Sequence, residues 1–491
     1  MEKYILALDQ GTTSSRALVV NSSGQVISST QQEFQQIYPQ NGWVEHVPTD
    51  IWQTTLTCCQ KALAQATVEV SAISICNQRE TTVVWDKTTG EPVYNAIVWQ
   101  DRRTASYCDE LKCQGYEAQI QHKTGLLLDP YFSASKINWL LSHVPQAKQL
   151  ADQGKLAFGT IDSYLIWQLT QGQNHCTDVT NASRTSLFNI HSLNWDQELL
   201  SLFDIPASIL PEVKQSADDF GICNLFDYPI PINGVLGDQQ AALVGQNCFE
   251  SGEAKSTYGT GCFLMLNTGS KPILSSGKLL STIAYQLNGH TAYALEGSSF
   301  IAGAAVQWLR DGIKCISSAK ETEKIAQSIA YDHGVFIVPS FTGLGAPYWQ
   351  ANARGAIFGL TRDSTNANLI AASLQSIAYQ TRDLVEAMQQ DGIQLDSIKV
   401  DGGMANNHWA MQFLAEILQV SLVKPTNTET SAVGAAFMAM LQQNIHSDFA
   451  QISALYQSSA HFTPKVTRVE ANKLYQKWQQ AVQATLVFSD C

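Results

Sequence analysis

Where the first apolar run of the chain stops, its residues change to types that handle phosphate. Tyr4 to Leu8 passes into Asp9-Gln10-Gly11-Thr12-Thr13-Ser14-Ser15-Arg16. A carboxylate at a strand end can hold a hydrated magnesium ion, and a glycine turn lets backbone N–H groups and hydroxyls approach phosphate oxygens. Taken alone, the same loop also reads as a polar hairpin turn. A second loop, Gly259-Thr260-Gly261, follows Ser256-Thr257-Tyr258 and leaves through Phe263-Leu264-Met265-Leu266. A third turn, Asp401-Gly402-Gly403-Met404-Ala405-Asn406-Asn407, comes after Ile398-Lys399-Val400, where the amides of a helix start can meet a phosphate. Glycine turns behind strands in both halves suit a triphosphate clamped from opposite sides.

Two further groupings suit a polyhydroxy substrate. Asn77-Gln78-Arg79-Glu80-Thr81-Thr82 sets a cation beside an anion just past a strand, a pair that donates to and accepts from hydroxyls at once. A surface ion pair is the plainer reading of the same residues. Gly234-Val235-Leu236-Gly237-Asp238-Gln239-Gln240 ends an apolar strand in one carboxylate at a helix start. Such a carboxylate can take a hydroxyl proton as the oxygen attacks phosphorus, or it can be an ordinary helix cap. Trp99, Tyr131 and Phe263 lie near these stretches; such aromatics are usually core, and together they can also wall a small polyol away from water. There is no G-x-x-x-x-G-K-[ST] loop and no G-x-G-x-x-G after a strand. Asp219-Phe220-Gly221 spells the metal triplet of protein kinases, but no H-R-D loop precedes it, so the match is coincidence.

These groups need elements to hold them. Tyr4 to Leu8 and Ala17 to Val20 read as strands around the first loop, and Asn21-Ser22-Ser23-Gly24 turns into a third strand over Gln25 to Thr30. Asp50 opens a helix, capped by its carboxylate, whose Ile51, Leu56 and Leu63 face a core. Ala72 to Cys76 and Thr82 to Trp85 are further strands. Strand, Gly/Thr loop and strand recur about 250 residues later, and that half ends in helices over Leu369 to Gln389 and Trp409 to Gln419. The pattern predicts an α/β protein of two similar domains facing each other across a cleft, residues 1–248 and 249–491, with the boundary near Gln246 to Ser251.

Composition narrows the partners. A length of 491 residues, at roughly 100–200 per domain, calls for several packed units. Lys and Arg number 30 against 43 Asp and Glu, a net charge of −13, so nucleic acid is repelled on average and a small molecule is the expected partner. With 45% hydrophobic and 15% charged residues, a mainly disordered chain is excluded. The 11 cysteines form no C-x-x-C pair and no zinc spacing, which fits thiols in a reducing cytosol. Asp9 comes too early for a signal peptide or a membrane span, so the expected location is cytoplasmic, without membrane insertion, and Asn181-Ala182-Ser183 is then an idle sequon.

The motifs together resemble one family. Asp9 to Arg16, Asn77 to Thr82, Asn95 to Gln100, Gly237 to Leu243, Thr257 to Phe263, Phe341 to Trp349 and Arg354 to Arg362 are similar, in order and spacing, to the glycerol kinases within the broader sugar kinases. The resemblance implies two domains like those of actin and ribonuclease H, with ATP and Mg2+ in the cleft between them. It implies transfer of the γ-phosphoryl group to glycerol, giving sn-glycerol 3-phosphate, as the first step of glycerol catabolism. It also implies that Arg79, Glu80, Trp99, Tyr131, Asp238, Gln239 and Phe263 hold glycerol, mostly on the first domain, with Asp238 as catalytic base. Thr12, Thr13, Ser14, Arg16, Thr260, Gly303, Gln307, Gly403 and Asn407 match the family's nucleotide positions, assigned mostly to the second domain, and Asp9 its magnesium position. The chemistry agrees, since the Arg79–Glu80 pair plus Asp238 can satisfy glycerol's hydroxyls while aromatic faces cover its carbons. Relatives form dimers or tetramers, so a homo-oligomer is expected. Cys223 to Tyr228 lacks the Gly, Lys and Arg with which some members bind fructose 1,6-bisphosphate, and no inhibition through that stretch is expected. Rival readings are a kinase for xylulose or gluconate and an actin-like nucleotide switch without small-molecule turnover.

Overall fold

The computed structural model describes residues 2–489. Strands β1 (Tyr4–Gln10), β2 (Ser14–Asn21) and β3 (Val26–Glu33) form an antiparallel meander in which Asp9 lies opposite Arg16. Helix α1 (Pro48–Ala66) then crosses the sheet so that β4 (Ala72–Asn77) can lie parallel to β1. Strand β5 (Ile230–Gly237) joins parallel to β4, giving the order β5-β4-β1-β2-β3 with the short strand Ile222–Cys223 at the β5 edge. The sheet interior is apolar on both faces, as parallel strands covered by helices require. Leu6, Leu8, Ile73 and Ile75 pack toward α1, and Ile5, Ala7, Ala72 and Leu236 pack the other way.

Pro48, rather than Asp50, opens α1. Proline's fixed φ suits the first helical position, Val47 before it makes no side-chain cap, and Asp50 sits in the first turn where its charge complements the helix dipole. Of the expected face, Ile51 is buried, Leu63 is partly buried against the same core and Leu56 is half-buried; Thr54, Thr55, Cys58 and Ala62 complete the buried face. The threonines are tolerated there because their hydroxyls are satisfied, Thr54 Oγ1 lying 2.9 Å from Ser15 Oγ and Thr55 Oγ1 donating to the Ile51 carbonyl at 2.7 Å.

Residues 78–229, between β4 and β5, build a separate apolar cluster around Val84, Ile137, Leu140, Phe158 and Phe203. They carry Trp99 and Tyr131. After β5, helix α2 (Asp238–Gly245) leads into the second sheet. This sheet begins with β6 (Ala254–Tyr258), β7 (Cys262–Gly269), β8 (Leu280–Leu287) and β9 (His290–Ser299). Helices α3 (Gly303–Asp311) and α4 (Asn366–Gln390) follow, then β10 (Ser397–Asp401), parallel to β6. Helix α5 (His408–Leu418) connects to β11 (Ser421–Pro425), and β12 (Ser458–Phe462) closes the order β8-β9-β7-β6-β10-β11-β12. The second sheet thus repeats the logic of the first: an antiparallel run, three strands in the first sheet and four in the second, then parallel strands reached through helices.

Helix α6 (Thr430–Gln442) crosses back between the halves. Its Val433, Ala436, Phe437 and Met440 pack with Ala241 and Val244 of α2 and with Ile5, Ala7 and Leu18 of the first sheet. The two helices touch at glycines: a Cβ on Gly245 would run into the Thr430 carbonyl oxygen, and one on Gly434 into the Ala241 carbonyl oxygen. Residues 430–442 therefore share a core with the first sheet. Among the described residues, no helix is long and apolar enough to cross a membrane.

Candidate active site

Parallel strands end together, and that is what gathers the first set of groups. Gln10 pairs in register with Asn77, and Asn77 with Gly237, so Asp9, the Arg79–Glu80 pair and Asp238 all emerge at the carboxyl edge of β1, β4 and β5. This edge is where open α/β sheets bind their ligands. Asp238 is the first residue of α2, behind Gly237, so it is not the helix cap. Its Oδ1 accepts from the Gln239 N–H at 2.7 Å, its side chain is 31% exposed, and it lies 3.2 Å from Arg79 Nε.

Arg79 and Glu80 are not a surface pair, being only 3% and 1% exposed. They belong to a buried quartet completed by Arg184 and Glu296. Arg79 Nη1 and Nη2 donate to the two Glu296 carboxylate oxygens, the second at 3.1 Å, and Arg184 Nη2 donates to Glu296 Oε1 at 2.9 Å. Arg184 Nε donates to Glu80 Oε1 at 2.6 Å. Two cations and two anions cancel, which is what allows four charges to be buried. Burial pushes the Glu296 carboxyl up, but Arg184 and Arg79 outweigh it and hold it at about 2. Burial prevails at Glu80, whose carboxyl is raised despite the same two guanidinium groups. Glu80 also has a left-handed backbone, φ +60°, in a tight turn closed by the Thr81 N–H on the Arg79 carbonyl at 2.6 Å. Such a conformation costs of order 1–3 kcal/mol and is held by its surroundings.

Three aromatic rings stand beside this quartet. Trp99 meets Tyr131 edge to face with centroids 5.5 Å apart, and Phe263, from the second half, at 6.3 Å. Trp99 Nε1 also donates to Thr12 Oγ1 at 3.0 Å, which joins the aromatic wall to the first glycine loop. Burial, then Glu80, pushes the Tyr131 phenol far above its ordinary value, so it stays a neutral donor. Gln239 accepts from Lys255 Nζ at 2.5 Å, a second bond across the halves, and Lys255 also reaches Thr257 Oγ1 at 3.0 Å.

At the mouth of β1, Asp9 lies 3.7 Å from Arg16, which in turn pairs with Glu429 at 2.6 Å. Burial raises the Asp9 carboxyl, partly offset by Arg16 and Cys76, while the Asp238 charge adds to the rise. Arg16 Nε is buried without a partner among the described residues, an orphaned donor beside the loop of Thr12, Thr13 and Ser14. Those residues grade outward to inward: Thr13 is exposed, Thr12 half-buried, and Ser14 buried and bonded to Gln31 Nε2 at 2.8 Å.

In the second sheet Thr257 is in register with Asp401, so the loops at Gly259–Gly261 and Gly402–Gly403 also share a carboxyl edge. The Thr260 carbonyl accepts from the Ala302 N–H at 2.8 Å, and the Gly303 N–H donates to the Gly259 carbonyl at 2.9 Å. A Cβ on Gly303 would lie 2.6 Å from that carbonyl oxygen and 3.5 Å from Met404, so the glycine lets α3 meet both loops. Thr260, Gln307 and Gly403 are exposed, and a Cβ at Gly403 would meet nothing within 4 Å. Asn407 is differently engaged: its side chain caps α5 through the Ala410 N–H at 2.9 Å and donates to Thr322 Oγ1 at 3.1 Å. Cys262, beside this loop, is buried, and burial raises its thiol above the ordinary value, which makes it an unreactive packing residue.

Sequence reasoning missed Arg184, Glu296 and Lys255. The available signal was a lone charge inside an apolar strand, Tyr293-Ala294-Leu295-Glu296 and Ala254-Lys255-Ser256; a buried charge must find a partner.

The fold recurs in known proteins. The N-terminal domain of the FGGY family of carbohydrate kinases matches residues 4–245, and its C-terminal domain matches residues 254–442. The chain belongs to the FGGY family of carbohydrate kinases. As an FGGY kinase it stands among the glycerol kinases: it is 54% identical to the glycerol kinase of Ectopseudomonas mendocina, with 98% of this chain and 99% of that one covered. Glycerol kinase 1 of Pseudomonas aeruginosa is likewise 54% identical over 98% and 99%. Plasmodium falciparum glycerol kinase, solved with ADP, superposes with a TM-score of 0.93 at 38% identity, covering 99% of this chain and 98% of that one. The two sheets are the ribonuclease H-like, actin-like halves of this kinase fold.

Proposed function

We propose that the chain transfers the γ-phosphoryl group of ATP to a hydroxyl of glycerol, with Asp238 as general base, and so supplies sn-glycerol 3-phosphate as the first step of glycerol catabolism. The observation that carries this reading is the Asp238 carboxylate, 3.2 Å from Arg79 at the carboxyl edge, with the aromatic wall and a glycine loop beside it. The buried quartet fixes Arg79 and Glu80 as donor and acceptor for the substrate hydroxyls. Trp99, Tyr131 and Phe263 cover the three carbons, and Gln239 offers an amide. A larger sugar leaves hydroxyls unpaired against these rings.

In the reaction the attacking oxygen forms a bond to phosphorus, the bond from phosphorus to the bridging oxygen breaks, ADP leaves, and the hydroxyl proton passes to Asp238. Thr12, Thr13, Ser14 and Arg16 on one side and Thr260, Gly303, Gln307, Gly403 and Asn407 on the other hold the nucleotide. Magnesium fits the site. Among the described residues no three metal-ligating side chains cluster, but Asp9 and nearby Asp238 are hard oxygen donors, and Mg2+ commonly takes one or two carboxylates and fills its remaining positions with phosphate and water. When bound at Asp9, the ion neutralises phosphate charge. We assign most of the glycerol site to residues 1–248 and most of the nucleotide site to 249–491.

The test is ADP release from MgATP with glycerol, xylulose, gluconate, erythritol or dihydroxyacetone. Glycerol-dependent turnover is expected to fall about 100- to 10,000-fold in Asp238→Asn, with the KM for ATP little changed. Unchanged turnover in the variant rules out the base, and preference for another polyol rules out the substrate.

A further inference from the structure

Lys136 is a charge in a place that charges avoid. It lies in the first turn of the helix Ser133–His143, where the positive end of the helix dipole disfavours a cation, and it is fully buried. Burial pushes its ammonium down to about 8, with Glu80, Asp101, Cys108 and Asp129 opposing the shift, and among the described residues it makes no ion pair. A buried cation without a carboxylate partner is costly unless other acceptors surround it.

Those acceptors are three consecutive carbonyls. Lys136 Nζ donates to Pro130 at 2.6 Å, to Tyr131 at 2.7 Å and to Phe132 at 3.1 Å. Three ammonium protons thus meet three carbonyls, and the chain just ahead of the helix is gathered around one atom. From the other side, Asp129 Oδ1 accepts the Tyr131 N–H at 2.9 Å and the Asp129 carbonyl accepts the Phe132 N–H at 3.3 Å. Ser133 Oγ donates to the Glu80 carbonyl at 3.0 Å, so the same helix start is fastened to the Arg79–Glu80 turn. Phe132 packs with Leu126 and Leu280, while the Tyr131 ring meets Trp99. The place of that ring in the aromatic wall therefore follows from the backbone of residues 130–132.

We propose that Lys136 is a positioning residue for the polyol site: its ammonium, bonded to the Pro130, Tyr131 and Phe132 carbonyls, holds the Tyr131 ring where it closes the wall against Trp99, without itself touching the substrate. The inference rests on the polyol-phosphorylating function proposed above. Charge and donor count, rather than volume, carry the role. Methionine has nearly the length of lysine but no donor, so Lys136→Met leaves three buried carbonyls short of a partner. Arginine is larger yet brings donors, in a planar fork that reaches fewer of three carbonyls gathered on one point.

Steady-state kinetics on the whole chain, with MgATP and the polyol panel, give the test as a double-mutant cycle with Tyr131→Ala. Lys136→Met is expected to raise the KM for glycerol about tenfold, with kcat and the KM for ATP changed less than about twofold, and Lys136→Arg to lie between that variant and the parent. In the Tyr131→Ala background, Lys136→Met is expected to change the KM for glycerol less than about twofold, because the ring through which it acts is gone. Equal effects in the two backgrounds, a KM for ATP that rises in step, or an arginine variant worse than the methionine one each overturns the proposal. If Lys136→Met folds poorly, the same cycle with Lys136→Arg decides. If the parent phosphorylates another polyol in place of glycerol, the glycerol assignment fails while the cycle, run on that polyol, still tests Lys136; if it phosphorylates none, both fall.

Discussion

Replacing Glu296 by Gln tests the charge balance under the proposed substrate site. The side chain is fully buried and accepts from Arg79 and Arg184, and its carboxyl is held at about 2 against an ordinary 4.5. At about 1.4 kcal/mol per pH unit, that gap corresponds to about 3 kcal/mol of stability. A lowered pKa contributes stability that is fully present above the unfolded value of 4.5 and is lost as pH falls through the folded value of about 2. Breaking one partner of a buried pair costs a similar 3–5 kcal/mol, because the remaining cation is stranded. Urea unfolding at pH 7 is therefore expected to show Glu296→Gln about 3 kcal/mol less stable than the parent. The difference should shrink below pH 4, where the parent loses its own contribution. Adding Arg184→Met to the variant should recover part of the loss, since it removes the stranded charge. A loss under about 1 kcal/mol at pH 7, or the same loss at every pH, would refute the reasoning.

Lys255→Met removes the cation that Gln239 accepts from and is expected to raise the KM for glycerol about 10- to 100-fold with a smaller change in kcat, read from steady-state kinetics. Gly434→Ala forces a methyl group onto the Ala241 carbonyl at the α2–α6 crossing, and thermal unfolding should show a loss of about 1–3 kcal/mol.

How much of this was legible in the sequence depends on whether the signal was local. Asp9, Arg79, Glu80 and Asp238 follow apolar strands directly, so a break in the hydrophobic pattern marks them, and parallel register brings them together. Trp99, Tyr131 and Phe263 were grouped in the sequence as one candidate wall, but their edge-to-face contacts depend on how residues 78–229 fold over the sheet edge and could not be read from it. Arg184 and Glu296 were invisible for a stronger reason. Glu296 finds Arg79 across 217 residues, and nothing near either residue specifies the other. The face of α1 was read only in part, through Ile51 and Leu63, because much of the remaining burial is borne by Thr54, Thr55 and Cys58, small side chains that a search for large apolar residues passes over. Asp50 was misread as the cap because an acid near a helix start fits the cap and the first turn equally well, and Pro48 decides between them.

The same contacts that fix Arg79 and Gln239 also tie the halves together. Arg79, from the first half, is bonded to Glu296 on β9, and Gln239 to Lys255 on β6, all at the floor of the cleft. The glycine contact of α2 with α6 adds a third attachment made of backbone rather than side chains. An opening motion that separated these groups would strand buried charges, at several kcal/mol each. Above the floor the Thr260 side chain and Gly403 stay exposed, while the backbone of Gly259 and Thr260 is held by the Gly303 and Ala302 N–H groups. Phe263 sits at the junction, its strand anchored and its ring closing the aromatic wall against Trp99. On the function proposed above, a floor fixed by these buried contacts holds Asp238 in the same geometry for each successive hydroxyl.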